Sequence, residues 1–203
     1  MNLDLGDDIK LYLPRYLSED RLVILKQQLR KFGEGYDTGK YFTDLLKGEP
    51  LLYQGDGVYA LVGNFPDTTR KNAPVLLLSN TCDMDIRNER LNPCRIMYAP
   101  IFNLDKYIQK LREREIPDAQ IATHVNDIKN QIVSQIFYLP KTSSLGYDGM
   151  VFFDRAMSIS LSEGSFSKCI ESRFFSLSDY GFYLLLLKLS YHFTRIQEKV
   201  DRG

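Results

Sequence analysis

Between Pro50 and Pro100 the chain offers several strands and no helix to connect them, and this limits its architecture more than any other feature. The run "LLYQGDGVYALVG" gathers apolar and aromatic residues around a turn or bulge at Gly55-Asp56-Gly57. "NFPDTTRKNA" reads as a loop, "PVLLLS" as a buried strand, and "CRIMYAPIF" as an alternating one. Parallel strands need long crossover connections, usually helices, so a doubly wound parallel sheet is excluded. Short strands decorated by helices point instead to a small barrel in a mainly β, α+β fold.

The helical segments lie outside that run. Ser18 is a candidate N-cap, followed by Leu22, Leu25, Leu29 and Phe32 at helical spacing before Gly33. A shorter helix is expected over Tyr41–Leu46, giving an N-terminal helical extension over 1–48. Leu104, Tyr107, Ile108 and Leu111 make one helical face, and Pro117 opens a second helix with Ile121, Val125, Ile128 and Ile132. Residues 104–134 therefore read as a helical insertion. Strand character resumes with "SQIFYLP", "MVFFD" and "AMSISL", and Ser178 caps a last helix running from about Asp179 to Lys199. The expected organisation is one domain over 1–203, with 50–103 and 135–193 forming the barrel and its closing helix.

Charge narrows the partner classes. The 203 residues contain 26 lysines and arginines against 26 aspartates and glutamates, so binding to nucleic acid would need a local basic patch. Three scattered cysteines argue against a disulfide framework and for a reducing, cytoplasmic setting. The acidic start "MNLDLGDDIK" does not read as a signal peptide. The apolar run "FYLLLLKLSY" is too short to cross a bilayer and is interrupted by Lys188, so no membrane partner is expected. The cysteines, His124 and His192 show no metal-ligand spacing, and no cofactor motif is present.

The most polar stretch, "SNTCDMD", follows the buried strand directly. On one reading it is a barrel-rim site in which Thr81 donates a hydroxyl, Asp83 acts as base or positioning group, and Cys82 is a nucleophile. On the other it is a strand-to-loop turn in which Asn80 and Asp83 satisfy backbone amides and Asp85 is solvated. Cys82 has no base joined to it by any sequence cue, which favours an inert thiol over a cysteine-dependent hydrolase. Tyr53, Tyr59, Phe65 and Tyr147 could stack on unpaired bases if exposed; core packing is the plainer use of such residues.

The order of these segments resembles the MazF/PemK toxin family. "GDGVYALVG", a polar loop, "APVLLLSN" and "LNPCRIMYAPI" match its first half, and "IFYLPKTSSLGYDGMVFFDRAMSIS" its second. The match covers roughly Leu51–Phe102 and Gln135–Phe193. It implies an SH3-like β-barrel, usually dimeric, that cleaves single-stranded RNA and is restrained by an antitoxin. The N-terminal helices and the 104–134 insertion have no counterpart in compact members of that family.

The family's catalytic arginine falls on Ala73, and its third-strand threonine or serine on Cys94. Alanine cannot stabilise charge on a phosphorane, and losing one such donor costs roughly a hundred- to a thousandfold in rate. Arg70, in the same loop, is the candidate replacement, because a guanidinium suits phosphate. The candidate catalytic set is thus Arg70, Thr81, Asp83 and Cys94, converging at one rim, with Lys71, Arg95 and Tyr53 as RNA contacts. The alternative is a non-catalytic module on the same barrel that binds RNA or a partner protein.

Overall fold

The computed structural model describes residues 38–63, 69–88, 91, 94–160 and 162–194. The helix expected after Ser18, Phe65, and the end of the last helix lie outside these residues. In chain order the strands and helices are β1 (Phe42–Thr43), β2 (Gly57–Gly63), β3 (Arg70–Leu77), α1 (Thr81–Met84), β4 (Arg95–Asn103), α2 (Leu104–Glu113), α3 (Asp118–Lys129), β5 (Ile136–Leu139), β6 (Gly149–Phe152), β7 (Met157–Ser160), α4 (Glu163–Glu171), β8 (Ser176–Leu177) and α5 (Asp179–Thr194). A 3₁₀ turn, Phe153–Arg155, separates β6 from β7.

The fold is α+β, and every strand pairing among the described residues is antiparallel. The main sheet has six strands in the order β2-β3-β4-β6-β5, with β7 also paired to β4. It does not close into a barrel: β2 and β5 end the path unpaired with each other. It is nevertheless curled. The Tyr98 hydroxyl on β4 donates to the carbonyl of Leu61 on β2 at 2.5 Å. In a flat sheet two strand spacings would separate those chains by about 10 Å, beyond a tyrosine's reach.

The break between β6 and β7 has a chemical cause in β4. Met97 accepts from the amides of Leu78 and Ser79, so odd-numbered β4 residues aim their backbone groups at β3. Even-numbered ones face the opposite edge, where Pro100 has no N–H to offer. Pairing with β7 spans Arg95–Tyr98, pairing with β6 spans Ile101–Asn103, and the 3₁₀ turn covers the gap.

Two apolar clusters sit on this curled sheet. One joins Val58, Ala60 and Val62 of β2, Val75 and Leu77 of β3, and Ile96 and Tyr98 of β4 to Phe166 and Cys169 of α4. The other packs Ile136, Tyr138, Met150 and Phe152 against Leu104 and Ile128 of the helical pair. The expected helices of the 104–134 segment are thus α2 and α3. Asn103 caps α2 by accepting from Lys106 N at 3.0 Å, and Ser178 accepts from Gly181 N at 3.2 Å at the start of α5.

Two local expectations are corrected, and one helix is added. Tyr41–Leu46 is not a helix: Phe42 and Thr43 pair with Leu177 and Ser176, and Tyr41 is fully buried. Aromatic and β-branched residues suit that pairing, which overrides the weak helical spacing. Arg70–Ala73 is strand rather than loop, with Arg70 opposite Gly63. The helix α4 was not anticipated, because its serine-rich sequence masks the Phe166, Cys169 and Ile170 face; Ser162 caps it by accepting from Ser165 N.

Candidate functional site

The polar stretch after β3 folds into the single turn of α1, and its side chains lock the turn. Asn80 Oδ1 accepts from Cys82 N at 2.9 Å, and Asn88 Nδ2 donates to the Cys82 carbonyl at 2.8 Å. Thr81 Oγ1 accepts from Gln54 N at 3.1 Å, while Gln54 Nε2 donates to the Leu78 carbonyl at 2.7 Å. Asp85 takes a fork of two bonds from Arg87, 2.9 Å from Nε and 2.7 Å from Nη2. Those bonds, with one from the Arg87 amide, hold the Asp85 carboxyl down at about 2. Asp85 is therefore paired rather than merely solvated.

Of the candidate catalytic residues, the structure brings three together. Cys94 Sγ donates to the backbone carbonyl of Asp83 at 2.7 Å, placing Thr81, Asp83 and Cys94 at one end of β3 and β4. Arg70 does not join them. It starts β3 opposite Gly63, whereas Leu77 at the other end lies opposite Tyr98, four residues after Cys94. At about 3.3 Å per residue the eight-residue strand holds its ends roughly 23 Å apart. The expected convergence of Arg70 on this rim is corrected by that register, and Lys71, opposite Val62, stays at the far end with it.

Neighbouring cations are already engaged. Arg87 forks onto Asp85, and Arg95 spreads its guanidinium over Ser158 Oγ, Ser160 Oγ and the Ser158 carbonyl on β7. Tyr53 lies beside the rim, since the next residue, Gln54, donates its amide to Thr81; the Tyr53 amide itself donates to Asp56 Oδ2 at 2.9 Å. Its phenol is pushed up by burial first and then by Glu49. Both histidines meet aromatic side chains on other elements. His124 Nε2 is 3.0 Å from the Tyr107 hydroxyl on the helical pair, and the His192 ring packs 5.5 Å from Phe153. Among the described residues no group of three or more metal-binding side chains is assembled, and no helix is long and apolar enough to cross a membrane.

Two features escaped the sequence reading. The first is a buried ion pair, Asp56 with Arg173, at 3.2 Å. Arg173 also donates to the carbonyls of Leu51 at 2.8 Å and Glu49 at 2.7 Å, stitching the segment before β2 to the segment after α4. Burial pushes the Asp56 carboxyl up, against the opposing hydrogen bonds of Ser176 and Tyr53 and the charge of Arg173. Nothing in the sequence joins positions 117 residues apart.

The second is the outward face of β2 and β3. Tyr59 and Leu61 remain 45% and 54% exposed while Val58, Ala60 and Val62 turn inward. Tyr59 lies opposite Pro74, Leu61 opposite Asn72, and Arg70 continues the row. The Phe174 ring stands 5.3 Å from Tyr59, and Tyr147 is close enough for Tyr59 to raise its phenol, after burial. The signal was present in "VYALV": apolar residues occupy both phases of the alternation, which a strand with one solvated polar face does not require. The free edge beside this face is closed, since Gly57 exchanges backbone bonds with Phe174 and Phe175 and Ser172 Oγ accepts from Tyr59 N at 3.0 Å. Neither the models of known protein families nor the curated proteins give a match to this chain.

Proposed function

We propose that this protein binds single-stranded RNA on the outward face of β2 and β3 without cleaving it, on a sheet that is an open variant of the SH3-like barrel of the MazF/PemK type. The observation that carries the reading is the separation of Arg70 from Thr81, Asp83 and Cys94 along β3. Cleavage by a 2′-hydroxyl needs charge stabilisation at the same phosphate where protons are moved. Here the polar rim has its arginines committed, and the exposed cations Arg70 and Lys71 sit elsewhere.

Where Arg70 sits, it borders an aromatic surface. Tyr59, backed by Phe174, offers a face to a base, and Leu61 and Pro74 extend the apolar area. Arg70, which continues the row at the strand end, then meets a phosphate; Lys71, opposite the inward Val62, points to the other face. Stacking platforms beside basic residues are a sequence-tolerant way to hold unpaired strands, with about 1–3 kcal/mol from each stacked base. The resemblance in segment order supports RNA over other anions. An antitoxin-like protein partner and a homodimer follow from the same resemblance.

The test is binding of a labelled single-stranded RNA by fluorescence anisotropy, with the RNA analysed on a gel afterwards. Tyr59→Ala is expected to weaken binding roughly 5- to 150-fold, the range equivalent to one lost stack. Arg70→Ala weakens it as well, and the RNA stays intact throughout. Fragmentation by the wild type that is lost in Thr81→Ala or Cys94→Ala would replace this reading with an endoribonuclease. Undiminished binding by Tyr59→Ala would remove RNA from the β2–β3 face.

A further inference from the structure

Beside the aromatic face opens a cleft of about 380 Å³, lined on one side by the turn after β1 and on the other by the end of α4 and the segment leading to β8. Its volume falls within the roughly 300–1,000 Å³ typical of small-ligand sites. Phe174 and Phe175 supply apolar wall, and Phe174 is the same ring that backs Tyr59. Three exposed charged side chains border the opening: Asp44, Lys47 and Glu171. Among the described residues none of these three takes part in a salt bridge. Arg173 also lines the cleft, but its guanidinium is committed to Asp56 and two backbone carbonyls; the two carboxylates and the ammonium around the aromatic wall then do not suit a simple anion, whose charge the carboxylates would repel. They suit a flat polar ring with hydrogen-bond donors, attached to a phosphate.

We infer that this cleft takes a guanine base splayed out from single-stranded RNA, an inference that rests on the RNA-binding reading of the neighbouring face. A carboxylate accepts and cannot donate, so it is satisfied by two adjacent donors. Guanine's Watson–Crick edge presents them, N1–H beside the N2 amino group. Adenine and cytosine set an amino donor beside an unprotonated ring nitrogen, and uracil sets its single N–H between two carbonyls. Asp44 or Glu171 takes the guanine edge, Phe174 flanks the ring, and Lys47 meets the adjoining phosphate or the O6 acceptor. Recognition of unstacked bases by their Watson–Crick edge between aromatic walls is how proteins read single-stranded RNA in general.

Three labelled oligomers test the assignment: an oligouridine, the same strand with one central guanosine, and the same strand with one central adenosine. Wild-type protein is expected to bind the guanosine strand about tenfold more tightly than the oligouridine, the scale of one good bidentate base contact. The adenosine strand controls for the better stacking of any purine. The double variant Asp44→Asn, Glu171→Gln keeps the shape and exposure of both side chains and is expected to bind all three alike. Each single variant then shows which carboxylate makes the contact. Equal wild-type binding of all three strands overturns the guanine pocket and leaves the RNA-binding face standing. A gain shared by adenosine, or a guanosine preference that survives in the double variant, also overturns it. Failure to bind any strand overturns both readings.

Discussion

Lys188 is 5% exposed and, among the described residues, finds no carboxylate partner; its Nζ donates to the carbonyls of Gln131 at 2.8 Å and Val133 at 2.5 Å. Burial pulls its amine down to about 7 from an ordinary value near 10.5. Between those values the unfolded chain holds a proton that the folded chain releases. Stability therefore rises with pH through the window from about 7 to 10.5, and is lost as pH falls through about 7. Lys188→Met removes the titration, so its pH slope flattens; it also leaves two carbonyls short of a donor, a loss that shows most at high pH, where the wild-type amine is neutral folded and unfolded alike. Urea midpoints at pH 7.5 and 9.5 are expected to show wild type gaining up to about 1.4 kcal/mol per pH unit relative to the variant. Parallel pH dependences would show that the amine is not held in its neutral form. The residue was visible in the sequence only as an interruption of an apolar run. What makes it unusual, two carbonyls at the end of α3 and no counter-charge, belongs to chain segments 55 to 57 residues away.

At the scale of elements, the close seating of α5 on β1 and β8 depends on Gly181, where any Cβ would collide with the carbonyl oxygen of Tyr41. Alanine is the better helix former by about 1 kcal/mol, but a clash with backbone cannot be relieved by a rotamer change. Gly181→Ala is expected to lower stability by about 1–3 kcal/mol, read as a fall in thermal midpoint. Gly63→Ala, with open space around it, is expected to change it by less than about 0.5 kcal/mol. Elements whose pattern is local were legible in this way: the α2–α3 pair from helical spacing, β4 from alternation, and the α5 cap from Ser178. β1 was misread because two residues hold no period, and its identity comes from β8, more than 130 positions later. The candidate site divides along the same line. Thr81, Asp83 and Cys94 belong to one turn and its antiparallel neighbour, so proximity in sequence pattern became proximity in space. Arg70 reads as a loop residue by composition, and its place in a register-fixed strand holds it at the far end of β3.

For the molecule as a whole, 26 basic and 26 acidic residues leave no net field to draw in a polyanion. RNA affinity then depends on the phosphate that meets Arg70 and, for a strand that enters the cleft, the one that meets Lys47, and counterion release counts them. Two contacts to a single strand predict a slope of log affinity against log salt of roughly −1.4. Anisotropy titrations across a salt series measure it directly, and Arg70→Ala is expected to halve it. A slope steeper than about −3 would mean that a larger basic surface binds the strand instead.

The turn between β6 and β7 also sets a rule for how this chain can change length. On β6, partners on β4 add to 252, as in Val151 with Ile101; on β7 they add to 255, as in Ile159 with Ile96. The difference is odd, so even-numbered residues of β6 and odd-numbered residues of β7 share one face of the sheet. That parity switch lets Met150 and Phe152 enter one apolar cluster while Met157 and Ile159 pack against the other. Adding or removing a single residue between them would point Ser158 and Ser160 inward and strip Arg95 of its partners. Insertions and deletions at this corner are therefore tolerable only in pairs, and related chains should differ here by even numbers of residues.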